Sequence, residues 1–146
     1  MRAAPVTATL YDQDFAQWCE EQAGRLRSGR LDALDVENLA EEIESMGKSQ
    51  QRELASRLQV LLLHLLKQRL QPEHDSRSWR STIIEQRAAL AGLLAQSPIL
   101  RRLLPEGLVA AYAVARRRAA AETDLPVATF PETCPFTAAD ASATDE

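Results

Sequence analysis

Aromatic residues make up only 5% of this 146-residue chain, and glycine occurs five times. A core short of aromatics has to be built from Leu, Ala and Ile, and the scarcity of Val, Thr and Tyr argues against a β-rich fold. There are two cysteines, Cys19 and Cys134, far apart and without a CxxC pair, so no zinc site is suggested. A free, reduced and buried Cys19 is the first reading, and a disulfide to Cys134 is the second. No apolar run approaches the roughly 18 residues that a membrane-spanning helix requires. Residues 1–6 lack the apolar centre of a signal peptide, so the cytoplasm is the expected location. No glycine-rich phosphate loop is present, and no cofactor is implied.

What is there is ordinary globular material: 45% hydrophobic and 26% charged residues, at a length typical of one domain. The net charge of −4 argues against general nucleic-acid binding, but it is unevenly spread. Residues 61–104 carry seven Lys/Arg against three Asp/Glu, a local +4, and the flanking segments are each −4.

Periodicity predicts an all-α fold. Residues 1–10 read as a flexible arm, residues 11–137 as a single helical domain and residues 138–146 as a frayed acidic tail. Asp12 is the predicted N-cap of a first helix bearing Phe15, Trp18, Cys19, Gln22 and Leu26, closed by Gly29. From Asp35, the positions Val36, Leu39, Ile43, Gly47, Gln50, Leu54, Leu58, Leu61 and Leu65 keep one helical phase, up to a stop before Pro72. That phase predicts either one long central helix bent at Gly47 or two helices with Ser49 capping the second. Ser76 or Ser78 opens a helix with Trp79, Ile83, Leu90 and Leu94. Ser97-Pro98 starts a short one, and Pro105-Glu106-Gly107 restarts the chain into a last one. The result is a compact bundle of about five helices followed by an extended Pro-rich segment, residues 125–136. Phe130 and Phe136 are expected to pin that segment across the helices.

Five ordered blocks carry a resemblance. They are Tyr11-Asp12-Gln13-Asp14-Phe15-Ala16-Gln17-Trp18, Leu39-Ala40-Glu41-Glu42-Ile43-Glu44-Ser45-Met46-Gly47, His64-Leu65-Leu66-Lys67, Ser78-Trp79-Arg80-Ser81-Thr82-Ile83 and Phe130-Pro131-Glu132-Thr133-Cys134-Pro135. Together they resemble domain of unknown function family 29, a family of compact bacterial helical proteins. The resemblance implies no activity and assigns no functional residue. Gln68 departs from the family's pattern, standing where an aromatic is common.

Three constellations bear on chemistry. Glu53, Arg57 and His64 share a polar edge beside the leucine stripe. Arg57 and His64, with six residues between them, resemble the active motif of HEPN ribonucleases, in which His serves acid–base chemistry and Arg holds phosphate. The plainer reading pairs Glu53 with Arg57 and packs His64 beside the core. The acidic group Glu37, Glu41, Glu42 and Glu44 lacks the Glu-x-x-His repeats of a two-metal site, so no metal is expected. Lys67, Arg69, His74, Arg77, Trp79 and Arg80 form a basic turn suited to a protein partner or to nucleic acid. The sequence therefore favours an interaction module, binding a protein partner or another copy of itself, with catalysis secondary. The alternative is a HEPN-like ribonuclease or RNA-binding helical domain.

Overall fold

The computed structural model describes residues 9–143, and among these there are six α-helices and no strand. They are α1 (Leu10–Gln13), α2 (Phe15–Arg27), α3 (Val36–Leu70), α4 (Arg77–Gln96), α5 (Pro98–Thr123) and α6 (Ala138–Ser142). The all-α expectation holds, and the long central helix is one uninterrupted element rather than two. The chain divides into two compact units, residues 1–47 and 48–146. Most of the N-terminal arm read from the sequence, residues 1–8, lies outside the described residues.

In the first unit the cap of α2 is Asp14, not Asp12. Asp14 is non-helical (φ −149°, ψ 87°), and its carboxylate accepts from the backbone N–H of Gln17 at 3.1 Å. Asp12 falls inside α1 and accepts from the Thr9 hydroxyl instead. Gly29 closes α2 as expected, at φ +73°. The Arg30 N–H reaches back to the Arg25 carbonyl (2.9 Å) and the Gly29 N–H to Leu26 (3.2 Å), the paired bonds of a Schellman motif. The centre of this unit is Trp18, 4% exposed, with the rings of Tyr11 and Phe15 against it at 4.9 and 5.7 Å between centroids.

In the second unit the C-terminal half of α3 is the central element. Leu54, Leu58, Leu61, Leu62, Leu63, Leu65 and Leu66 are all buried. A run such as Leu61-Leu62-Leu63 spans about 200° of the helix surface at roughly 100° per residue, so its burial requires neighbours on more than one side. Ile83, Leu90 and Leu94 of α4 and Leu100, Leu104, Leu108, Ala111, Tyr112 and Ala115 of α5 supply part of that surround. Small residues let the helices approach: a methyl group on Gly107 would already touch Leu58 Cδ1 at 3.5 Å.

Ser76 caps α4, accepting from the Trp79 N–H at 3.2 Å, and Ser97-Pro98 opens α5 with proline at the start. The predicted restart at Pro105 does not occur. The α5 helix continues past it: Pro105 is solvent-exposed, and Leu104 and Leu108 on either side are buried in the core. Arg101, a turn earlier, turns its guanidinium to the end of α4 and donates to the Leu94 carbonyl at 2.6 Å.

The Pro-rich segment is pinned as its aromatics predict. Phe130 is fully buried and Phe136 packs at the edge of the same core. Its backbone is held as well: Tyr112 donates to the Pro131 carbonyl, and Arg116 Nε to the Phe130 carbonyl at 3.2 Å. The sequence read the residues after 137 as frayed, but residues 138–142 form a helix. A capping box joins Thr137 and Asp140, Ala141 is buried, and Arg87 Nε donates to the Asp140 carbonyl at 3.1 Å. Small, polar residues hid a docked helix, because the groups that seat it are Ala138, Ala141 and the bond from Arg87.

Candidate functional site

Arg57 and His64 do lie on α3, in its core-forming half, but each is engaged locally. Arg57 Nε donates to Glu53 at 3.0 Å and its Nη1 to Gln86 of α4 at 3.3 Å. The ion pair is half-exposed, so its worth is a few tenths of a kcal/mol, roughly that of any surface i,i+4 pair. His64 is half-buried, with Nδ1 2.7 Å from the Val60 carbonyl one turn back. A carbonyl can only accept, so Nδ1 carries the proton and holds the ring along the helix. Glu53, Arg57 and His64 thus sit where the helical phase puts them, with the two charged residues spent on each other and on α4.

In the basic turn, Lys67, His74 and Arg80 each face a carboxylate, whereas Arg69 and Arg77 form no ion pair among the described residues. Lys67 pairs with Glu122 at 3.2 Å and lies 5.3 Å from the centre of the Trp79 ring. Arg80 and Gln68 both donate to Asp75, each at 3.0 Å, and together hold its carboxyl below the usual carboxylate range, with Gln68 the larger influence. Gln68, polar where the family often has an aromatic, thereby fastens the turn between α3 and α4. His74 lies 3.3 Å from Glu73, Arg69 packs on the Phe136 ring and Arg77 is exposed. Trp79 is half-buried.

The acidic residues Glu37, Glu41 and Glu44 are exposed, whereas Glu42 accepts from the Tyr11 hydroxyl. Among the described residues no cluster of His, Cys, Asp and Glu is arranged to hold a metal. Both cysteines are free thiols, so the disulfide alternative is not formed. Cys19 is only half-buried, and burial pushes the Cys134 thiol up.

Two features escaped the sequence. The first is that the stripe on α3 changes character along its length. From Leu54 onward it is core, but Val36, Ile43 and Met46 are 67%, 66% and 69% exposed. Phase reveals which residues share a face; it does not reveal where along a helix the partners stop. The second is a cavity of about 670 Å³ in the second unit, walled by α5 and the Pro-rich segment. Its lining includes Leu108, Val109, Tyr112 and Phe136, with Arg116 and Arg117 at the side. Neither Arg57 nor His64 lines it. The sequence signal beside it is the run Arg116-Arg117-Arg118.

An all-helical domain with these capped elements and this pinned C-terminal segment defines a class of fold, not an activity. The model of the family Domain of unknown function DUF29 matches residues 10–145, and the chain belongs to that family. No curated protein and no solved structure matches it. No helix is long and apolar enough to cross a membrane among the described residues.

Proposed function

We propose that the chain is a protein-interaction module whose partner is a second copy of itself, docked through the N-terminal half of α3. The observation that carries this is the exposed apolar stripe. Val36, Leu39, Ile43 and Met46 follow at steps of three and four, the spacing of a helix–helix seam. Leu39 is half-buried, and the other three stand in solvent. Exposed Ala40 and Gly47 lie beside them, so a partner helix meets no bulky side chain at that edge. Glu37, Glu41 and Glu44 fall on a different side of the helix, which keeps like charges away from a self-complementary contact. Exposed apolar surface of this kind is what association surfaces look like before they are covered.

Light scattering across a concentration series tests the reading. The wild-type chain should form dimers, and Ile43→Asp should shift it to monomer with its helical circular dichroism unchanged, since Ile43 packs against little in the single chain. A wild-type protein that stays monomeric at high concentration removes the proposal. Nothing in the geometry of Arg57 and His64 favours the ribonuclease reading over this one.

A further inference from the structure

The cavity beside α5 has the make-up of a ligand site. Its volume, about 670 Å³, lies within the roughly 300–1,000 Å³ of small-molecule pockets, and such pockets are mainly apolar with a few placed polar groups. Leu108, Val109, Tyr112 and Phe136 provide the apolar wall. The charged groups around it are mostly of one sign. Arg116 and Arg117 line it, and Arg69 stacks on Phe136 with its guanidinium carbon 5.9 Å from the ring centre. Against these three cations stands one lining carboxylate, Glu132. Asp140 lies close by, but its carboxylate is turned to the backbone and hydroxyl of Thr137.

The guanidiniums differ in how firmly they are held. Arg116 is fixed by its Nε bond to the Phe130 carbonyl, which leaves the planar end of its fork facing away from that bond. Arg117 is exposed and forms no ion pair among the described residues. An anion entering here meets one guanidinium held by the chain and one without an ion pair, and the planar guanidinium fork matches a carboxylate. Burial of Tyr112 favours its neutral form, so the cavity floor adds no negative charge near neutral pH.

We infer that this pocket binds an amphipathic monocarboxylate, such as a medium-chain fatty acid, with its chain against Leu108, Val109, Tyr112 and Phe136 and its carboxylate at Arg116 and Arg117. The inference is independent of self-association, because every residue it uses lies outside the α3 stripe.

Calorimetric titration of the full chain with sodium decanoate tests it, alongside decan-1-ol as the uncharged analogue of the same length. Decanoate should bind at one site per chain, and decan-1-ol about tenfold more weakly or worse, since it forgoes the charge-assisted bonds. Arg117→Gln should weaken decanoate by a similar factor and leave decan-1-ol unchanged. Val109→Glu should abolish decanoate binding; Val109 is 69% exposed, so that substitution leaves the fold in place, as circular dichroism checks. The proposal is overturned if decanoate shows no saturable binding below about 1 mM. It is equally overturned if decan-1-ol matches decanoate, or if Ile43→Asp removes binding while Val109→Glu keeps it, which would mean simple adsorption to the exposed stripe.

Discussion

The indole Nε1 of Trp18 donates to the Asp35 carboxylate at 3.0 Å, and this bond ties the first half of α2 to the residue that precedes α3. Asp35 is the knot of the N-terminal unit. The same carboxylate oxygen accepts from the Asn38 amide at 2.8 Å, and the Asp35 backbone N–H donates to the buried Gln22 side chain at 2.8 Å. The Asp35 carbonyl then accepts from Leu39 to begin the helix. One residue therefore joins the aromatic cluster of the first unit to the element on which the exposed stripe is carried.

That arrangement predicts acid sensitivity in the first unit. The bonds from Asn38 and Trp18 hold the Asp35 carboxyl below its ordinary value of 3.8. A carboxyl depressed in the folded state contributes stability that is fully present above 3.8 and is lost as the pH falls through the folded value. Replacing Trp79 with Phe leaves Trp18 as the sole indole, so its fluorescence reports this unit alone. Acid titration of that variant should show a change at low pH that Asp35→Asn abolishes. Asp35→Ala, which strands the buried indole N–H, should cost roughly 1–3 kcal/mol in urea unfolding. An identical acid transition with and without the Asp35 carboxyl would falsify the assignment.

The two halves of α3 should respond very unequally to truncation. Leu62 is fully buried amid its own helix's leucines and the helices around them, so Leu62→Ala should destabilise by about 2–5 kcal/mol. Ile43, on the same helix, should lose no more than about 0.5 kcal/mol when changed to Ala at concentrations where the chain is monomeric. Denaturant midpoints measure both, and comparable losses at the two positions would show that the N-terminal half is packed after all.

Much of the fold was legible because local chemistry dictated it. Ser76, Ser97-Pro98 and Gly29 sit at helix ends for reasons internal to a few residues, and the unbroken phase from Val36 to Leu65 is compatible with one helix or two, of which the structure forms one. What was not legible depended on tertiary partners. Asp12 and Asp14 are equally good caps by type, and only the non-helical backbone at Asp14 selects it. Pro105 reads as a break, yet core anchors on both sides carry the helix past it. Ala141 docks α6 without any apolar pattern to announce it. The polar edge at Glu53, Arg57 and His64 was located correctly from phase, but its partner Gln86 lies 29 residues from Arg57 and could not be foreseen. The cavity was hidden for the same reason, being formed by α5 and a segment that returns to it only in three dimensions.

Glycine substitutions separate helix propensity from backbone geometry. Gly92 lies inside α4 with nothing near the position a methyl group would take, so Gly92→Ala should stabilise the chain by about 1 kcal/mol through helix propensity alone. Gly29 has equally open space but a positive φ of 73°. Gly29→Ala should therefore destabilise by roughly 1–2 kcal/mol, the cost of a Cβ in the left-handed region. Thermal unfolding distinguishes the two, and a shift of the same sign in both would contradict the Schellman geometry at the end of α2.

Alkaline titration probes the contact between α1 and α3. The hydrogen bond to Glu42, with smaller contributions from desolvation and from the charges of Glu42, Glu41 and Asp12, pushes the Tyr11 hydroxyl up to about 12. Because the folded value lies above the unfolded 10.0, the contact stabilises fully below pH 10.0 and its contribution is lost as the pH rises through about 12. Phenolate absorbance in a Tyr112→Phe variant follows Tyr11 alone. Its midpoint should lie well above that of a free tyrosine and fall toward it in Glu42→Gln, which removes the carboxylate facing the hydroxyl while leaving an amide oxygen to accept the bond. If the midpoint is ordinary in both proteins, Tyr11 does not hold Glu42, and the helical turn at residues 10–13 is not anchored to α3 through that pair.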